Sequence, residues 1–423
     1  MKPETKERAP LLLFLFGVAF LPFCYGLAAG LWNLPPAQTV REAYDDVFNL
    51  VLNWRNDFEV EPTRHLVEGY SDRREAFTVY RPEALGEGRL LVAGLTPGRA
   101  ALNSARLLDS AGEELHIWPF DYTRLDETKE AWNVFQHGIA VLEDGSIVVN
   151  FDSGQRLARF GACGDVLWSR EGAYHHAVTA AEDGTLWTLE GEDIVQADLE
   201  TGETLATISV VEDLIERHGR QGVFGLRTEE NEADELEFSH DPLHGNHIEA
   251  LPEKMAGAFP QFEAGDLLVS FRNLNLVAVL DPARKDLKWW SIGPWHRQHD
   301  PHFAPDGRIL VYNNDMNFPP SQIVAIDPQT MDTEVLFEGG EETPFYSWRR
   351  GKFQQLPDGR LLIVESERGR VFMIDAEGEL IFEYNNVFDE TRNGVLGAAY
   401  FLPPDYFEEG ALDCPAPQQS AEN

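Results

Sequence analysis

The stretches FQHGIAVLEDG, YHHAVTAAEDG and RQHDPHFAPDG set His137, His176 and His299 each seven residues ahead of an aspartate, Asp144, Asp183 and Asp306, that opens an Asp-Gly turn. Imidazole titrates near neutrality, so a histidine held at a fixed place can attack an electrophile, carry a proton or ligate a metal. It can also do none of these and simply satisfy loop backbone. His240, His244 and His247, or His296, His299 and His302, have spacings readable as metal ligands, and catalytic zinc usually takes three protein ligands. An extended strand sends alternate side chains to opposite faces, however, so either set could share an ion only on a bent loop. The expectation is that no metal is held.

Elements that could position these histidines recur along the chain. A turn followed by an apolar strand appears as GEGRLLVAGL, EDGSIVVNF, EDGTLWTLE, EAGDLLVSF, PDGRILVYN and PDGRLLIVE. Each is followed by a strand, an acidic or Gly turn, and a strand often ending in an aromatic, as in IVAIDPQTMDTEVLF and VFMIDAEGELIFEY. About six copies of a four-strand unit predict an all-β, six-bladed β-propeller over residues 75–400, or seven blades if residues 57–85 hide another. If the strand before each Asp-Gly turn is the innermost of its blade, its start opens on the central channel. His137, His176 and His299 then belong to one ring.

Between these stretches lie DPLHGNHIEALPE and GDLLVSFRNLNLVAVLD. An HH pair, an H-x-N, a strand S-x-R and a QH, in that order, resemble the bacterial arylsulfate sulfotransferases, exported six-bladed propellers, through most of residues 75–390. The resemblance implies that His299 is the nucleophile, transiently sulfated on nitrogen, and that His244, Asn246, Arg272 and His176 line the site, with His137 beside them. It implies a ping-pong transfer from an aryl sulfate to a phenolic acceptor. The residue types suit that chemistry: neutral imidazole attacks sulfur and leaves again, Arg272 and Asn246 stabilise charge on the sulfuryl oxygens, and His244 serves as acid and base. There is no Walker-type loop and no GxGxxG after a strand, in keeping with a reaction that needs no cofactor. Two features depart from the family pattern. Residues 33–74 look helical and irregular where family members carry an amino-terminal β-domain, and Ser347, Arg349 and Arg350 near the funnel match no family residue. His175 reads as a flank of the site and His218 as a surface or cap residue. A non-catalytic propeller that binds a small ligand, glycan or protein is the alternative, and a hydrolase passing sulfate to water is the nearby variant.

A formal charge of −38 repels phosphate backbones, which excludes nucleic acid and disfavours polyanionic acceptors. After Lys2, Lys6 and Arg8, residues 9–32 carry no charge and have the length to cross a bilayer. They predict a single-pass inner-membrane anchor with the main domain on the periplasmic side, or a signal cleaved after Ala28. Phe23 makes the segment ending at Cys24 a poor lipoprotein box. Residues 33–74 form a helical linker, in which Val40, Tyr44, Val47, Leu50, Val51 and Trp54 predict an amphipathic helix over 36–56 that packs on the domain or on a second copy in a homodimer. Residues 401–423 are a tail. Cys163 and Cys414 are too few for a disulfide framework, yet an oxidising compartment permits them to pair and fasten that tail.

Overall fold

In the computed structural model, which describes residues 4–32, 60–96, 98, 102–127, 134–151, 155–224 and 243–414, the repeated copies become six separate sheets. Two units are distinguished, residues 1–64 and 65–423. The first contains a helix, Glu4–Trp32, of 29 residues. Among the described residues no helix is long and apolar enough to cross a membrane, so the anchor expected of residues 9–32 is not borne out. The amphipathic helix predicted over 36–56, and the second-copy contact it suggested, lie outside the described residues.

Each blade of the second unit is an antiparallel meander, and in four of the six an Asp-Gly turn joins the innermost strand to the next. The turns form because aspartate accepts from the backbone two residues on while glycine takes a left-handed φ. Asp144 Oδ1 accepts from Ser146 N at 2.9 Å beside Gly145 at φ 80°, and Asp306 accepts from Arg308 N at 3.1 Å beside Gly307 at φ 87°. The second strand of a blade is buried on both faces, as in Ile147–Phe151, Leu267–Phe271 and Leu361–Glu365, which explains the unbroken apolar runs. Neighbouring blades pack face to face; one core cluster joins Ala177, Leu189 and Ile194 of one sheet to Ile248, Val269 and Leu280 of the next.

The ring closes by exchange of chain ends. The first blade takes three strands from residues 89–119 and its innermost strand, Leu396–Leu402, from the carboxyl end. Six blades therefore suffice. The described residues 60–85 hold no seventh: Leu66–Glu68 pairs with Arg392–Gly394, and Phe77–Val79 is added as a fifth strand to the last blade through Phe77↔Tyr384. The part of the predicted helical linker from Thr63 onward is thus a short 3-10 turn and a strand. Its hydrogen bonds come from a distant segment, which local pattern could not reveal. Cys163 and Cys414 pair, with Cα atoms 5.5 Å apart, and Tyr406, Phe407 and Leu412 pack the tail onto the core shared by the first two blades.

Candidate functional site

The innermost strands Gln136–Val141, Tyr174–Ala180, Gly245–Ala250 and His299–Phe303 all begin at the same end of the channel. Each loses register with its neighbour within its first few residues: between Gln136 and Ile139, His175 and Val178, Gly245 and His247, and His299 and His302. Such bulges bend the strand and re-aim side chains. Here they turn His176 (φ 57°) and Asp300 (φ 47°) out of the pleat. His137, His176, Asn246, His299 and Arg350 consequently line one narrow cavity. The remaining predicted residues adjoin it. His244 Nε2 lies 3.1 Å from His176 Nε2, and the Arg272 amide donates to the His244 carbonyl at 3.0 Å.

His299 has its two nitrogens in different situations. Nδ1 is 2.6 Å from Asn314 Oδ1, while Nε2 is buried with no hydrogen-bond partner. The Asn314 amide is oriented by its own donors, because Nδ2 gives hydrogens to the carbonyls of Ser347 (2.6 Å) and Arg350 (2.8 Å). Its Oδ1 must then accept, which puts the His299 proton on Nδ1 and leaves the Nε2 lone pair bare. Burial holds the His299 pKa well below the usual imidazole range; the Asn314 bond opposes this, and Arg272, His244 and His137 reinforce it. A neutral ring with Nε2 bare is the form that acts as a nucleophile.

A second set of tautomers follows from a single carbonyl. The Gly191 oxygen can only accept, so His175 Nε2, at 2.7 Å, donates to it. A neutral His175 then has Nδ1 bare, and His176 Nδ1, at 2.7 Å, must donate to it. Burial, with His137, His175, His244 and His299 all nearby, keeps the His176 pKa well below normal, so its Nε2 is bare and His244 Nε2 is the donor at 3.1 Å. His244 therefore carries a proton at Nε2, and His175, read from sequence as a flank, orients the chain of rings. The His137 and His176 rings lie 4.1 Å apart, centroid to centroid. Asn246 gives Nδ2 to the Gln298 carbonyl at 2.8 Å and so fixes the backbone just before His299.

Asn314 and Arg350 are the site residues sequence reading left unassigned. Arg350 stacks over Phe135, its Cζ 4.9 Å from the ring centroid, and Glu367 lies 3.3 Å from its Nη1. Arg349 pairs with Glu367 at 2.9 Å, and Ser347 contributes its carbonyl to Asn314. His218 stands away from the site, 3.6 Å from Asp286. Of the two spacings readable as metal ligands, the one formed by His296, His299 and His302 does not converge. His296 faces the Met316 carbonyl, His299 faces Asn314 and His302 faces Asp300 and Glu249, while His240 is outside the described residues.

A protein-family model, Arylsulfotransferase (ASST), matches residues 138–387, more than half of the chain. No curated protein matches. Among solved structures, a protein of unknown function from Bacteroides caccae is 14% identical with a TM-score of 0.50, over 75% of this chain and 99% of that one. A virginiamycin B lyase from Staphylococcus aureus, with quinupristin, is 15% identical with a TM-score of 0.37, over 59% of this chain and 70% of that one. The first of these likenesses bears on the fold alone.

Proposed function

The chain belongs to the arylsulfotransferase family, and from that premise we propose that it moves a sulfuryl group from an aryl sulfate to a phenolic acceptor through His299. The observation that carries this reading is the bare, unpartnered Nε2 of His299, opposite an Nδ1 held by Asn314. Nε2 attacks sulfur and the bond from sulfur to the aryl oxygen breaks, with the phenolate taking a proton from His244 in its doubly protonated form. The sulfated ring keeps its Nδ1 proton on Asn314 Oδ1, which stabilises its positive charge. In the second half, neutral His244 removes the acceptor's phenolic proton, the oxygen attacks sulfur, and the bond between sulfur and nitrogen breaks to restore His299. Arg350 lines the cavity and the charge of Arg272 bears on His299, so both supply positive charge for the sulfuryl oxygens, and fixed charge of that kind is worth most where charge develops. The cavity is narrow, so the sulfuryl group enters as the His137, His176 and Arg350 side chains separate.

The Cys163–Cys414 disulfide supports an extracytoplasmic location, since cytosolic thiols are kept reduced. On this reading the apolar stretch 9–32 is the export signal, and the periplasm is the compartment in which aryl sulfates are met.

The test uses 4-nitrophenyl sulfate with and without phenol. Acceptor-dependent release of nitrophenolate, with sulfate trapped as an acid-labile adduct on His299, is expected, and His299→Ala should lower turnover by at least about 10³-fold. Release without any acceptor would indicate a hydrolase. Inertness toward a broad panel of aryl sulfates and phenols would leave the ring of histidines as a ligand site without turnover.

A further inference from the structure

Below the His299 cavity the same inner strands carry a second group of ligating side chains that the proposed transfer does not use. His247 and Glu249, two apart on the strand Gly245–Ala250, fall on one face of it, and His302 comes from the neighbouring strand His299–Phe303. One ligating atom from each lies within 4.8 Å of the others. They border a separate cavity, together with Thr179, Phe353 and Tyr400. His247 is 2% exposed and neither ring nitrogen makes a hydrogen bond; Nδ1 stands 3.1 Å from Asp300 Oδ1. His302 Nε2 is 3.0 Å from Asp300 Oδ2, and its Nδ1 is 3.3 Å from Glu249 Oε2. Asp300 is itself held by Lys352 Nζ and the Phe353 amide, each at 2.9 Å.

One carboxylate thus faces the same pair of histidines from behind, as carboxylates commonly do at histidine metal sites, where they fix the rings and raise their basicity. What remains in front is a nitrogen from each ring and a Glu249 oxygen. We infer that His247, His302 and Glu249 bind one divalent transition-metal ion of the zinc type, with Asp300 orienting both rings. Two imidazoles and a carboxylate suit zinc, and bonds of about 2.0–2.2 Å would draw the three ligand atoms to about 3.5 Å from one another. The ion takes the place of the His302 Nδ1 proton that now points at Glu249, and that proton leaves as the ion arrives. Glu249 is half-buried beside the cavity, which provides both the entry path and room for a water as fourth ligand. The ion would join the inner strands of two adjacent blades just below Asn246 and His299, fixing their separation. It touches no reacting atom.

The test is calorimetric titration of the full, chelator-treated protein with zinc chloride, repeated with cobalt chloride, whose visible absorption reports its ligands. One ion per chain is expected in the wild type, with binding at least tenfold weaker in Glu249→Gln, His247→Gln and His302→Gln, and unchanged in the surface control His218→Gln. Cobalt absorption should vanish in Glu249→Gln. Should the buried His247→Gln fail to fold, Glu249→Gln, half-buried and nearly isosteric, decides alone. Absence of binding by the wild type, or binding that Glu249→Gln and His302→Gln leave intact and that therefore belongs to the acidic surface, would overturn the assignment.

Discussion

An imidazole has two nitrogens, and only the one without a proton can attack sulfur. At His299 that choice is made by Asn314, whose orientation is in turn set by the backbone carbonyls of Ser347 and Arg350 in the next blade. Asn314→Ala should therefore leave substrate binding nearly unchanged while lowering kcat roughly 10²-fold, because the ring loses its preferred tautomer and the acceptor for its Nδ1 proton. Asn314→Asp restores an acceptor and should recover part of the rate. It also sets a carboxylate against two carbonyls, so its Tm should fall below the wild type. Acidification acts on the same rings. His176 and His299 have folded pKa values well below the normal imidazole range, chiefly through burial. Their contribution to stability is therefore undiminished above the unfolded value near 6.5. It declines as pH falls below that value, because the unfolded chain takes up protons that the folded one refuses. Each ring should lose about 1.4 kcal/mol of stability per pH unit in that window, an effect denaturant titrations at pH 7, 6 and 5 would measure. His176→Gln, which cannot titrate, should show a shallower loss.

At the scale of the strand, the site depends on how closely the inner strands approach. Gly138 sits in the bulge beside His137, and a β-carbon there would meet the His176 carbonyl oxygen at 2.4 Å and the Val178 amide nitrogen at 3.0 Å. Both are backbone atoms of the adjacent blade, and neither can swing aside. Gly138→Ala should force the two strands apart where the His137 and His176 rings meet, at a cost of about 1–3 kcal/mol, with kcat/KM falling alongside Tm. Gly257→Ala is the control. That glycine has φ −62° and open space around its β-carbon position, so the variant should match the wild type in both measurements. The bulges also explain what the sequence concealed. Counting back from Asp144, Asp183 and Asp306 places three histidines at one level, but not the slip in register that turns His176 and Asp300 inward.

Across the whole molecule, features repeated in every blade were legible and features made once were not. A Gly turn leading into an apolar second strand recurs in all six copies, four of them with Asp-Gly, so the number of blades and the ring of His137, His176 and His299 could be read from spacing alone. Asn314 could not, since nothing in VYNNDMN announces that its acceptors lie one blade on, at Ser347 and Arg350. Nor could the closure, because the strand Leu396–Leu402 obtains its partner, Arg89–Leu95, from the far end of the chain. The disulfide bears on that closure. Cys414 lies just past the closing strand and its partner Cys163 is in the second blade, 251 residues away in sequence. Cross-linking so long a segment restricts the unfolded chain strongly, and removing a native disulfide typically costs about 2–5 kcal/mol, although strain or residual unfolded structure can reduce the gain. Paired replacement by serine, Cys163→Ser with Cys414→Ser, should lower Tm and free residues 403–414 for proteolysis. If Tyr406 and Phe407 alone hold the tail, through the Tyr406 hydroxyl bond to the Val141 carbonyl at 2.7 Å and their packing on the first two blades, the double variant will keep both its Tm and its resistance. That outcome would assign closure to packing and leave the disulfide as a mark of the compartment only.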